Sequence, residues 1–215
     1  MMKNLLLISV VLLTSLVSIR AQDKTAVDLK NEGTEALKAN NFQLAMDLYE
    51  QALDKMAGEE PDGQMVFNAG YCARKLENNE KAVKFYQLSE QYNYRPDMSC
   101  FYVAYALDKL GRSEEMEKVL IAGMDKYKDS KYVTHMTKML VDYYLVEGSK
   151  PFNEASKILA SAATAAPEEY DAIRAKAREK FTEAKPWFDN AAKYAADDER
   201  VTKPLKEIET RLAAQ

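Results

Sequence analysis

Internal self-similarity constrains this chain more than any single motif. The landmarks Leu29, Gly33, Phe42, Ala45, Tyr49 and Ala52 return as Val66, Gly70, Asn79, Ala82, Tyr86 and Ser89, each shifted by 37 positions. A third copy, Cys100, Ala104, Ser113, Met116, Leu120 and Gly123, follows 34 further on. Looser copies come after steps of 39 and 29, at Phe152, Ala155, Leu159, Ala162 and then Phe181, Ala184, Phe188, Ala191. A period of roughly 35 residues holds one supersecondary unit, and a unit of that size cannot bury its apolar face alone, so neighbours must stack.

The spacing inside each copy is helical. Val66, Ala69, Gly70, Ala73 and Leu76 form one stripe, and Val103, Ala104, Leu107 and Leu110 form the next. Small residues at Gly33, Gly70, Ala82 and Ala104 permit close approach of helix backbones. With only 7 Gly and 6 Pro in 215 residues, and little Val-Thr alternation, sandwiches, barrels and Gly-rich nucleotide folds are disfavoured. Turn and cap signals fall at Glu59–Gly63, Arg95–Asp97, Asp129–Ser130, Pro167–Glu169 and Asp197–Asp198. The expectation is an all-α array of about five helix-turn-helix units, near 26–59, 63–96, 97–130, 131–164 and 165–196. A final helix within 197–215, with Val201, Leu205, Ile208 and Leu212 on one face, closes it as a solubilising cap.

These residues resemble the tetratricopeptide repeat (TPR), in which a small residue lies midway along the first helix and small-aromatic-small landmarks mark the second. Gly33, Ala45, Tyr49 and Ala52 match that pattern, as do Gly70, Ala82 and Tyr86. Asn79 and Ser113 depart from the aromatic of the inter-helix turn, Met116 replaces a small residue, and the terminal Pro is missing. The segment Phe181 to Leu212 resembles the C-terminal part of exported repeat proteins of the Bacteroidetes. The resemblance implies a TPR-like solenoid, a right-handed α-α superhelix whose first helices line a concave groove. It also implies a protein or peptide partner. Lys30 matches the first position of the carboxylate clamp of some chaperone-binding members, but Thr34, Tyr71, Phe101 and Tyr105 stand where that clamp has amides or bases.

The start of the chain reads as a secretory signal. Lys3 precedes the apolar run Leu5 to Val17, and Ser18-Ile19-Arg20-Ala21 precedes the polar Gln22-Asp23-Lys24. Cleavage after Ala21 is expected, with a retained interfacial anchor as the alternative. The run falls short of the ~18 residues of a membrane span. No Cys stands at the junction to carry a lipid. Loss of residues 1–21 removes Lys3 and Arg20 and takes the net charge from −4 to −6. No basic stripe suited to phosphates remains, so nucleic acid is excluded as a partner. The expected location is the periplasm or the cell exterior, with no membrane span after cleavage.

Few residues suggest chemistry. His135 is the single histidine and has no Cys beside it in sequence, so it reads as a helix-surface or packing residue rather than a metal ligand. The acidic runs Glu59-Glu60 and Asp197-Asp198-Glu199 sit at helix starts, where carboxylates complement the dipole. No nucleophile-base pair, phosphate loop or ligand spacing is present, so neither an enzyme nor a cofactor is expected. A Cys72–Cys100 disulfide stays open in an oxidising compartment. Their places in the repeat differ by six, or about 9 Å of helix rise, which strains the ~7 Å limit between alpha carbons. Tyr49, Tyr86 and Phe188 stand at core landmarks. Phe67, Tyr71, Arg74 and then Met98, Phe101, Tyr105, Asp108 follow helical spacing about 100° from the buried stripes. They are the candidate groove residues for a peptide or partner helix, with burial in a tight superhelix as the alternative. A self-associating subunit, forming a homo-oligomer, is the second functional reading.

Overall fold

The computed structural model describes residues 24–57 and 59–213, so the expected signal segment at 1–21 lies outside the described residues. The described chain runs α1 Ala26–Lys38, α2 Phe42–Lys55, α3 Gly63–Lys75, α4 Asn79–Gln91, α5 Pro96–Lys109, α6 Ser113–Lys126, α7 Tyr132–Ser161, α8 Tyr170–Ala192 and α9 Glu199–Ala213. Only helices, joined by turns, occur among the described residues.

Local sequence explains where the helices start. Thr25 and Asp28 form a reciprocal capping box on α1. The side chains of Asn41, Asp62 and Asn78 accept backbone N–H donors from Leu44, Gln64 and Lys81 at the starts of α2, α3 and α4. Each of the first three hairpins turns through one left-handed residue, Asn40 at φ 58°, Glu77 at φ 58° and Gly111 at φ 69°. That residue ends the first helix and lets the second return antiparallel.

Helix packing follows the repeat. A Cβ placed on Gly33 would meet the Tyr49 ring at 2.9 Å, and one on Gly70 would meet the Tyr86 ring at 3.1 Å. The glycine of each first helix thus seats the tyrosine of its second, and both tyrosines are fully buried. Each helix packs chiefly on its neighbours in sequence, the arrangement of a solenoid. One core extends from Leu29 to Val201, and a second cluster of Ala155, Phe181, Ala184, Phe188 and Ile208 lies at the far end.

The fourth and fifth units differ from the expected pattern. Residues 131–164 hold one 30-residue helix, α7, and 165–196 hold one 23-residue helix, α8, which pack together as a single long hairpin. No left-handed residue interrupts either. Gly148, at the point where a turn belongs, is buried against Trp187 and Phe188, with room for no Cβ because the Trp187 Cβ would lie 2.9 Å away. Pro151 and Pro186 sit inside these helices. Each removes one backbone donor, and continuous packing along the α7–α8 interface outweighs that loss. α9 then lays Val201 and Ile208, both fully buried, against the last layer.

Candidate functional site

The first helices α5 and α7 leave an open groove of about 480 Å³ between them. From α5 it is lined by Phe101, Tyr105 and Asp108, and from α7 by His135, Met139, Tyr143 and Val146, with Asp142 and Glu147 on the rim. The α7 residues Met139, Tyr143 and Val146 stand 38 positions after the α5 residues Phe101, Tyr105 and Asp108. Each wall is thus one face of a first helix, at an offset one short of the 39 that separates the third and fourth copies.

The aromatic rings support one another. Phe101 lies 5.6 Å from Tyr132 and 5.7 Å from His135, centroid to centroid. Tyr143 stands edge-on to Trp187 at 5.9 Å, so the tryptophan of α8 braces the α7 wall from behind. Val146 is 58% exposed, an apolar side chain held toward solvent. The rim is charged on both sides. Lys138 and Arg200 both donate to Asp142, and despite desolvation by burial they hold its carboxyl below the usual carboxylate range. Burial pushes the Tyr143 phenol up, and the nearby carboxylates of Glu117, Glu147 and Glu114 add to the shift. Asp108 keeps a longer contact with Lys109, at 3.7 Å. An aromatic and aliphatic floor with a rim of paired charges can hold the apolar side chains of a peptide or helix and fix its polar groups at the edges.

The structure distributes the sequence-derived candidates over three settings. Phe101, Tyr105 and Asp108 line the groove. Tyr71 and Arg74 sit one helix away, where the Arg74 guanidinium lies over the Tyr71 ring at 5.3 Å and the Tyr102 ring at 4.8 Å. Tyr102 in turn lies 5.3 Å from Phe101, so ring contacts connect this cluster to the groove. Met98 is half-buried against the main core. Phe67 is a correction: it is only 6% exposed and belongs to the core. The α4–α5 connection carries left-handed residues at Asn93 and Arg95. Tyr94 meets Phe67 edge-on at 5.7 Å, and the Arg95 guanidinium covers it at 5.5 Å.

Other singled-out residues have structural work. Lys30, the lone clamp-like position, pairs with Asp62 at the N-terminus of α3. Cys72 and Cys100 are unbonded and buried. Burial pushes the Cys72 thiol up to about 11 and the Cys100 thiol up to about 12. The buried Tyr86 hydroxyl and the Arg74 Nε make no hydrogen bond of ordinary geometry among the described residues. Burial raises the Tyr86 phenol, and the neighbouring guanidinium opposes that shift. His135, Met139, Tyr143 and Val146 are the groove residues that sequence reasoning missed, because the 39-residue step from Phe101, Tyr105 and Asp108 leads instead to Leu140, Tyr144 and Glu147.

Comparison with known proteins agrees on the fold. A TPR repeats protein from Bacteroides fragilis is similar to the chain with a TM-score of 0.54 and 20% identity, covering 86% of this chain and 98% of that one. A Bacteroides ovatus protein reaches a TM-score of 0.46 at 14% identity over 87% of this chain and 98% of its own. YrrB, a TPR protein with an unusual peptide-binding site, reaches 0.44 at 14% identity over 87% and 95%. No protein-family model and no curated protein matches the sequence. The chain has the TPR solenoid fold.

Proposed function

We propose that this chain is a non-catalytic interaction scaffold that seats a peptide or partner helix in the groove between α5 and α7. The observation that carries this reading is the pair of facing walls, Phe101-Tyr105-Asp108 and Met139-Tyr143-Val146, which leave apolar surface open along the first-helix face. Aromatic anchors of this kind lose few rotamers on docking and desolvate well, which makes them the usual centres of binding energy. The signal-like segment at residues 1–21 supports export, with the partner in the periplasm or on the cell exterior. Among the described residues no helix is long and apolar enough to cross a membrane.

A photo-crosslinking side chain at Val146 tests this reading in the native cell. It should give one dominant adduct with another protein, competed away by excess unlabelled protein, whereas the same probe at Ile121, exposed on α6, should not. Equal adduct patterns at both positions would contradict it. The alternative is a self-associating structural subunit. It is favoured by the outer face of α1 and α2, where Val27 is 64% and Leu44 47% exposed. Under that alternative a probe at Leu44 gives an adduct of twice the mass of the chain itself.

A further inference from the structure

The last layer carries a feature the groove does not explain. At about 1.5 Å of rise per residue, the 23 residues of α8 span roughly 35 Å and the 15 of α9 roughly 22 Å. The first turns of α8 therefore outrun the antiparallel α9 by about 12 Å. At that end the second core cluster opens into a pocket of about 480 Å³. Phe181 and Ala177, each 1% exposed, form its base with Leu159. Arg174, Arg178 and Arg211 surround it, with Asp171 as the lining carboxylate and Glu207 paired to Arg211 at 3.4 Å. Arg174, Arg178 and Phe181 stand at i, i+4 and i+7 of α8, so two guanidiniums and a phenyl ring share one face. The helix dipole does not account for these cations. Arg174 and Arg178 lie in the N-terminal half of α8, where a dipole gives positive charge no support.

We propose that this pocket binds an anionic amphiphile, its carboxylate or phosphate head held by the arginines and its aliphatic tail laid on Leu159, Ala177 and Phe181. Guanidinium groups suit such heads because their planar donors match two oxygens at once. The volume falls within the range of small-molecule sites. A free inorganic anion would leave the apolar base open to water. The site lies away from the α5–α7 groove and stands or falls independently of it.

Isothermal titration of the full chain tests the assignment, using dodecanoate, dodecyl phosphate, dodecyltrimethylammonium and acetate below their aggregation concentrations. One or both anionic amphiphiles should bind at least tenfold more tightly than the cationic amphiphile and acetate, and the better of the two identifies the head. Amide resonances of Leu159, Ala177 and Phe181 should move with the same midpoint. The double substitution Arg174→Ser with Arg211→Ser should weaken binding at least tenfold, and Arg174→Lys with Arg211→Lys should retain part of it while keeping the charge. Equal binding of the cationic amphiphile would reduce the effect to detergent adsorption and overturn the proposal. So would acetate binding as tightly as dodecanoate, an acidic peptide binding where no amphiphile does, or no binding at all.

Discussion

At the scale of single residues, the glycines of the first helices decide whether the layers can close. Gly70 faces the Tyr86 ring at distances a Cβ would already find tight, so Gly70→Leu inserts a branched side chain where no space exists. Overpacking of this kind costs typically 1–3 kcal/mol, and urea unfolding should show a loss of about 3 kcal/mol. A midpoint within the roughly 0.5 kcal/mol of ordinary surface substitutions would mean the contact is not formed. The thiols give a second residue-scale test. Because burial raises both Cys72 and Cys100, neither should react with an aromatic disulfide reagent at pH 8 until the chain unfolds. The sign of the linked stability follows from the same shift. Below the unfolded thiol value near 9 both states keep their protons, and above it the unfolded chain loses them first. Stability is therefore complete below pH ~9 and falls as pH rises toward 11, by about 2 kcal/mol or more. A flat stability profile between pH 8 and 11 would show that the thiols are not buried.

Elements test how the array ends. α9 contributes Val201 and Ile208 to the core, and fully burying such a side chain is worth about 1.5–3 kcal/mol. Truncation after Glu199 should expose Phe188 and its neighbours and turn a monodisperse protein into aggregates by light scattering. A truncated chain that stays monomeric with an unchanged melting temperature would remove the capping role of α9. The α1–α6 hairpins were legible in the sequence because two independent signals coincide there. The Gly33–Tyr49 and Gly70–Tyr86 pairs recur at a fixed separation, and turn-forming residues sit between the paired helices. The α7–α8 hairpin was not. Gly148-Ser149-Lys150-Pro151 has turn-like composition, yet Gly148 serves there as a contact for Trp187 and Phe188 on α8. Composition cannot separate a glycine that turns from a glycine that makes room. The groove was half legible: helical spacing marks the α5 wall of Phe101, Tyr105 and Asp108, while the α7 wall lies one residue off the 39-residue step and Phe67 is covered by a loop whose left-handed residues leave no periodic trace.

For the whole molecule, the solenoid turns one helix face, copied along the chain, into an open apolar groove beside a continuous core. Its tyrosines divide by burial: Tyr49 and Tyr86 fill space inside, whereas Tyr105 and Tyr143 are half-buried at the groove. That division makes a single double substitution decisive. Tyr105→Ala with Tyr143→Ala should lower the capture of the Val146-crosslinked partner at least tenfold, because aromatic anchors commonly carry about 2 kcal/mol or more each. The melting temperature should fall less than for Tyr49→Ala, whose cavity costs ~3–5 kcal/mol. The most direct measurement is quantitative affinity capture from the native cell envelope with the wild-type chain and this double variant side by side, each checked by thermal melting. A folded variant that loses the wild-type partner is the predicted result, and a folded variant that keeps it in full would contradict binding in the groove.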